Sequence, residues 1–406
     1  MNSKLLVFLL IILSFRFYYF YRNQPQLMDG QMLSFEAAIL SQPQAVNSQQ
    51  IIVANYQNQS FGGLRIRIAT GRFPEFSYGD FVRISGSISS KNGRVLMYFP
   101  KIEAINNSSN ILQSSLKNIN ILRQKLIILF SKTLPSPSSS LLLGIIFGIK
   151  EQMPKDFSDN LRTSGVFHVI AASGMNVTLI GGFISTFFAF FVKRQIAIGL
   201  SILGILFYAV LAGLEPSIIR ASIMGILVFS AQIMGRQTLA INGLTLAGFG
   251  MLFIDPMLLS DVGFQLSFAA TLGLILIPKI RAIGRIWVIG NDINTTIAAQ
   301  VATLPILLAN FGTYSIYSIL VNGLVLWTVP ILMMIGGIGA VLGLILEPFG
   351  QLLIYLSFPL LLYFETIVNF FGEIGGIMAL KNFPWQFTVG YYCLLISVLL
   401  IFKRGK

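Results

Sequence analysis

IAIGLSILGILFYAVLAG (196–213) decides the class of this protein. The eighteen residues contain no charge and no amide. As a helix they reach about 27 Å, close to the ~30 Å hydrocarbon thickness of a bilayer. In lipid every backbone N–H and C=O must find an internal partner, so such a run is a helix. Comparable apolar runs lie near 164–192, 217–234, 238–254, 257–277, 294–311, 315–346, 350–371 and 386–402. Across 406 residues the chain is 55% hydrophobic and only 11% charged, against about a quarter charged in a soluble domain. The text predicts an α-helical polytopic membrane protein of about ten spans, counting an anchor at the start.

That anchor is KLLVFLLIILSFRFYYFY (4–21). A lysine precedes it as in a signal peptide, but no A-x-A-like site follows, and aromatics and Arg22 close the run. An uncleaved N-terminal anchor over residues 1–25 fits better than a removed leader.

Residues 26–110 have a different character. LSFEAAIL (33–40), QQIIVAN (49–55), LRIRIAT (64–70), DFVRISGSI (80–88) and RVLMYFP (94–100) alternate apolar and polar residues between Gly- and Asn-containing turns. Period-2 alternation predicts a small all-β soluble domain of about five strands, and a barrel of this size suits an OB-like fold. Residues 111–163 are transitional. Residues 111–134 read as an amphipathic helix lying in the membrane interface, ended by Pro135 and Pro137. SSLLLGIIFGIK (139–150) is too short to span and reads as a re-entrant or buried helix. Residues 164–406 form the multi-helix membrane domain, whose 315–346 run is long enough for a tilted or broken helix, with Pro330 placed to kink it. Taking that run as one span puts Lys193, Arg194, Arg236, Lys279, Arg281, Arg285, Lys403, Arg404 and Lys406 on one side, and only Lys381 opposite. By the positive-inside rule that side is cytoplasmic, with the C-terminus, and Lys4 then places the β-domain outside.

Counting excludes several chemistries. There is one histidine, His168, and one cysteine, Cys393. A histidine-rich metal site and an intrachain disulfide are both ruled out, and no metal or other cofactor is expected. No P-loop is present either. The net charge of +13 is that of flanking positive-inside residues, and by itself does not select a phosphate path.

Polar residues at membrane depth carry the functional signal. Thr296, Gln300, Thr303 and Asn310 share one helix face, and Asp261 with Gln265 another. Ser315, Ser318 and Asn322 form a further stripe, Glu215, Ser217 and Arg220 open the 217–234 run, and His168, Ser173 and Asn176 lie within 165–180. Any single stripe is explained by interhelical hydrogen bonding, worth about 0.6 kcal/mol each. So many stripes on different helices, with an arginine and a histidine, suggest a polar interior path. His168 with Ser173 also suggests a hydrolase, but the text is A-A-S-G-M rather than G-x-S-x-G and no third triad member lies nearby.

These same residues resemble a known family. GVFHVIAASGMNVTLI (165–180) is similar to the H-x₄-SG segment of the ComEC-type DNA-uptake channels, with Asn176 where a second histidine often stands. EPSIIRASIM (215–224) resembles their P-S-x-x-R-A-x-x-M, DPMLLSDVGFQLSFAAT (255–271) their D-x-G-F-Q-L-S-F, and AAQVATLPI (298–306) their A-Q-x-x-T-x-P, followed by Asn322. FSYGDFVRISGSI (76–88) resembles part of their N-terminal β-domain. The resemblance covers roughly residues 30–330 in consistent order.

It implies a membrane channel that conducts one DNA strand across the cytoplasmic membrane of a bacterium during natural transformation, and not an enzyme. The implied path residues are His168, Ser173, Asn176, Glu215, Ser217, Arg220, Asp261, Gln265, Ser267, Gln300, Thr303, Asn310 and Asn322. Arg65, Arg67, Tyr78 and Arg83 of the β-domain become candidate strand contacts, with Phe61, Phe73, Phe76, Phe81 and Tyr98 as stacking candidates whose simpler role is core packing. Many members add a C-terminal metallo-β-lactamase-type domain, whose metal motif a single histidine cannot supply. The expected partners are single-stranded DNA, the lipid bilayer, an extracytoplasmic DNA receptor, a cytoplasmic helicase-like motor and a separate nuclease. A transporter of another anionic or polymeric solute, or a membrane-embedded hydrolase, remains compatible with the same residues.

Overall fold

The computed structural model describes residues 3–404 except 25–27, 40–42, 47–48, 58–62, 72, 75, 77–79, 92–93, 106–110, 151, 171–172, 236–238, 278–288 and 381–383. Arg236, Lys279, Arg281, Arg285, Lys381 and Lys406, six members of the charge ledger, lie outside those residues. The chain forms two compact units, one of residues 1–126, 209–215 and 249–259, the other of 127–208, 216–248 and 260–406.

The first unit opens with helix α1 (Ser3–Arg22) and continues into seven strands. These are β1 (Met32–Ala38), β2 (Gln44–Val46), β3 (Gln49–Gln57), β4 (Gly63–Gly71), β5 (Phe81–Lys91), β6 (Arg94–Tyr98) and β7 (Lys101–Ala104). Five are the alternating runs of the sequence, while β2 and β7, at three and four residues, are too short to show a period. The sheet runs β1-β5-β6-β4-β3-β2, with β7 on β5. Every pairing is antiparallel except β4 with β6. The result is an OB-like half-barrel. Alternation sends Ile52, Ala54, Ile66, Ile68, Val82, Ile84 and Met97 inward, all fully buried. Each such aliphatic side chain contributes about 1.5–3 kcal/mol on burial.

The helical part continues with α2 (Ile111–Thr133), α3 (Ser138–Phe147), α4 (Lys155–Thr163), a 3₁₀ turn (Phe167–Val169), α5 (Gly174–Ala189), α6 (Arg194–Leu211), α7 (Pro216–Ile233), α8 (Ala240–Ile254) and α9 (Val262–Leu276). After α10 (Ile289–Phe311) come β8 (Thr313–Ser315), α11 (Ser318–Val325), α12 (Thr328–Ile345), α13 (Glu347–Leu356), α14 (Phe358–Ile374), β9 (Ile377–Ala379) and α15 (Trp385–Arg404), with β8 pairing β9. Among the described residues six helices are long and apolar enough to cross a membrane, and α13 with α14 makes a seventh, bent by 42°. Four shorter apolar helices, including α8, α9 and most of α15, account for the other expected runs. The protein is a polytopic α-helical membrane protein with an N-terminal OB-like domain.

Three details correct the sequence reading. The 164–192 run becomes helix only at Gly174; residues 167–169 form a 3₁₀ turn before it. The 315–346 run is a broken helix, but its joint is Leu326–Trp327 and not Pro330, which lies in the first turn of α12. A proline is tolerated there because the first amides of a helix lack partners anyway. At eight residues α11 reaches only about 12 Å, so the break does not create two spans. The 350–371 run divides at Ser357, after which α14 begins with a proline at its second position.

Helix α2 buries Leu126, Ile127, Leu129 and Phe130 and exposes Lys117, Gln124, Lys125 and Lys132. Arg123 departs from the polar face: it is buried and donates to the Leu211 carbonyl at 3.0 Å. Every residue of the short helix α3 is buried.

Candidate polar path in the helical unit

A wholly buried helix must pair its own last carbonyls. For α3 the chain does this in two ways. Gly148, in the left-handed region at φ 70°, donates its N–H to Gly144 O. Side chains from α5 and α6 take the next two: Asn176 Nδ2 donates to Ile145 O at 2.7 Å, and Tyr208 OH donates to Ile146 O at 2.9 Å. Asn176 Nδ2 also reaches Tyr208 OH at 3.2 Å, while its Oδ1 accepts from Ser173 Oγ at 3.0 Å. Ser173 therefore serves the start of α5, and its hydroxyl points to an amide and not to an imidazole.

The glycine after Ser173 makes room for a cation. A Cβ on Gly174 would lie 3.1 Å from Arg220 Nη2. Arg220, buried on α7, donates through Nη1 to Ser267 O and Thr271 Oγ1 of α9, with its guanidinium carbon 6.0 Å from the Phe268 ring centroid. Its Nε has no hydrogen-bond partner among the described residues. Three sequence segments (A-S-G, P-S-I-I-R and F-Q-L-S-F) thus meet at one guanidinium.

A second network lies at the other end of the 165–173 segment. Gln300 Nε2 donates to Ser318 Oγ at 2.6 Å, Tyr314 OH donates to Gln300 Oε1 at 2.7 Å, and Asn322 Nδ2 donates to Ser318 Oγ at 3.3 Å. Ser318 Oγ in turn donates to Gly165 O at 3.2 Å, and Ser315 Oγ to Thr163 O at 2.6 Å. Gly165 has φ +80°, and a Cβ there would sit 2.5 Å from Ser318 Cβ. Asn322 is buried and its Oδ1 has no partner among the described residues. Between the two networks, His168 is exposed. The ring of neighbouring Phe167 has Lys150 Nζ at 5.8 Å and Arg162 Cζ at 4.8 Å from its centroid, so three basic side chains gather at this turn.

The remaining candidates lie near helix starts or bond their own helix. Asp261 caps α9, accepting from Phe264 N–H at 2.9 Å, and half-buried Gln265 follows one turn later. Thr303 and Asn310 bond carbonyls of their own helix, Ala299 O and Ile306 O, and Asn310 is exposed. Glu215 and Ser217, both half-buried, flank Pro216 at the start of α7.

In the β-domain Arg67 is exposed, with Val53 and Leu96 as its register partners, and Arg65 pairs in register with Asn55. Arg83 is engaged by Glu36 at 2.6 Å, and that carboxylate raises the guanidinium above its ordinary pKa. Phe73 and Tyr98 are exposed, whereas Phe76 packs against the core and Phe81 is half-buried. Tyr78 and Phe61 lie outside the described residues.

Sequence reasoning missed Tyr208, Tyr314, Thr271 and the buried Glu365, which accepts from Ser138 Oγ at 2.5 Å. Tyrosines inside apolar runs carry no periodic signal, and Glu365 is one carboxylate in a long hydrophobic stretch.

The family model for competence proteins matches residues 145–405. The chain belongs to the competence protein family. Both hydrogen-bond networks fall inside the matched region. ComE operon protein 3 of Bacillus subtilis (strain 168) is 26% identical over 289 residues, 68% of this chain. The aligned stretch spans only 36% of that relative's length. No solved structure matches. Membership of the competence family agrees with the ComEC-type resemblance.

Proposed function

We propose that this chain is a channel that conducts single-stranded DNA across the cytoplasmic membrane, and that it acts by conduction and not by catalysis. The observation that carries the reading is the coincidence of the family match with two networks that draw polar side chains from α5, α7, α9, α10 and α11. A strand with one negative charge per nucleotide needs a polar, wet path with few fixed anions. Arg220 offers a phosphate contact, and Asn, Gln and Ser groups offer exchangeable hydrogen bonds that do not trap the strand.

In this reading the β-domain lies outside the cytoplasm and holds the incoming strand, and the C-terminus is cytoplasmic. A DNA receptor outside, a helicase-like motor inside and a separate nuclease complete the system. Deleting the gene in a transformable host should abolish uptake into the cytoplasm and spare DNA binding outside; normal transformation sinks the proposal. Labelled-strand flux into proteoliposomes, with small anions as competitors, separates a DNA channel from a transporter of another anionic solute. Arg220→Gln should lower strand flux, and His168→Ala should leave any hydrolytic activity unchanged.

A further inference from the structure

Helix α10 carries a proline in its interior, Pro305. Proline has no N–H, so the carbonyl four residues earlier, Val301 O, loses its helical donor, and the ring crowds that same carbonyl. At membrane depth a carbonyl freed in this way must be paired by a neighbour. The neighbour is the last helix. Tyr391 OH of α15 donates to Val301 O at 2.8 Å, and Tyr392 OH donates to the next carbonyl, Ala302 O, also at 2.8 Å. The two rings meet edge to face with centroids 5.9 Å apart, which sets the hydroxyls side by side.

Little else holds α15. None of its described residues is buried. Thr388, Tyr391, Tyr392, Leu395 and Leu399 are half-buried and recur at helical spacing, so they form the one stripe by which it packs, mainly on α10. The turn it grips is shared with both hydrogen-bond networks. Gln300, the residue before Val301, holds Ser318 and Tyr314. On another side Ala298 and Ala302 press on Gly273 of α9, where a Cβ would lie 2.6 Å from Ala298 O and from Ala302 Cβ. Thr271, two residues before that glycine, accepts from Arg220. A change in α10 at its proline therefore reaches both networks.

We infer that Tyr391 and Tyr392 are positioning residues of the polar path. They take the place of the donor that Pro305 lacks, hold α10 where its own ladder is open, and through α10 place Gln300. The role in a path rests on the proposed channel; the grip on α10 does not.

Electron–electron distance measurements on the full chain in nanodiscs test this. Spin labels at Thr295→Cys and Ala309→Cys stand about 21 Å apart along α10, on either side of Pro305, in a chain whose own exposed cysteine is removed by Cys393→Ser. With both tyrosines present the labels should give one narrow distance. Tyr391→Phe, which loses only the hydroxyl, should shift and broaden it. Pro305→Ala restores the missing amide, so in that background Tyr391→Phe should change nothing. Labelled-strand flux into proteoliposomes should fall in Tyr391→Phe and in Tyr392→Phe. Equal distances with and without the Tyr391 hydroxyl overturn the inference, as does the same change in the Pro305→Ala background. Unaltered flux beside an altered distance overturns the positioning role. A wild type that passes no strand refutes the channel instead, and the distances still decide the grip on α10.

Discussion

Replacing Asn176 by alanine tests how the buried helix α3 is held. Asn176 is 2% exposed and makes three hydrogen bonds, to Ile145 O, Tyr208 OH and Ser173 Oγ. Two expectations compete. If these are ordinary interhelical bonds in a bilayer, each is worth about 0.6 kcal/mol and the loss is below about 2 kcal/mol. If Ile145 O is left unpaired in a protein interior, a desolvation penalty of about 1–3 kcal/mol adds to the lost bonds. Because every residue of α3 is buried, the second case applies, and we expect a loss of about 3–5 kcal/mol. The assay is reversible unfolding in mixed micelles. Tyr208→Phe removes the donor to Ile146 O and should cost about 1–2 kcal/mol. Since Asn176 and Tyr208 share a bond, the double variant should depart from additivity by at least about 0.5 kcal/mol. An Asn176→Ala loss under about 2 kcal/mol, or strict additivity, refutes the capping argument.

Other outcomes follow from single contacts. A Cβ on Gly350 would overlap the Gly343 backbone, whereas one on Gly337 meets nothing within 4 Å; Gly350→Ala should cost about 1–3 kcal/mol by overpacking in the same unfolding assay, and Gly337→Ala should be neutral or stabilising. Arg67 is exposed and Arg83 is held by Glu36, so Arg67→Gln should lower the salt slope of single-strand binding by about 0.7, and Arg83→Gln by clearly less, in titrations at several salt concentrations. Glu103 is held below the usual carboxylate range by its hydrogen bond to Lys101 at 2.7 Å. A lowered folded value gives stability that is present above the ordinary value of about 4.3 and lost as pH falls through the folded value. Lys101→Ala should therefore raise the Glu103 midpoint in a carboxyl NMR titration.

The class of fold was legible because two periods are hard to confuse. Uncharged runs such as 196–213 have one stable form in lipid, and the alternation in LRIRIAT (64–70) puts Ile66 and Ile68 inside and Arg67 outside. Helix breaks were less legible. Residues 315–346 contain no charge to mark Leu326–Trp327 as a joint, and a proline three residues later reads equally as a kink or as a first turn. Periodicity told which residues share a helix face but not what that face meets. Gln300 and Thr303 share a stripe, yet Gln300 bonds Ser318 and Tyr314 while Thr303 turns back to its own helix. Asn176 stands where the resemblance often has histidine, and its function became visible only when α3, a helix more than twenty residues earlier, brought Ile145 O to it. A side chain that caps another element is chosen by that element's unpaired carbonyls, which no local pattern encodes. Arg220 is the opposite case. Its charge made it conspicuous in an apolar run, and the space at Gly174 and the acceptors on α9 explain why the guanidinium can lie buried there. Its Nε is closed off and has no hydrogen-bond partner among the described residues, so this guanidinium lies buried with one donor unsatisfied, a cost that its bonds to α9 do not remove.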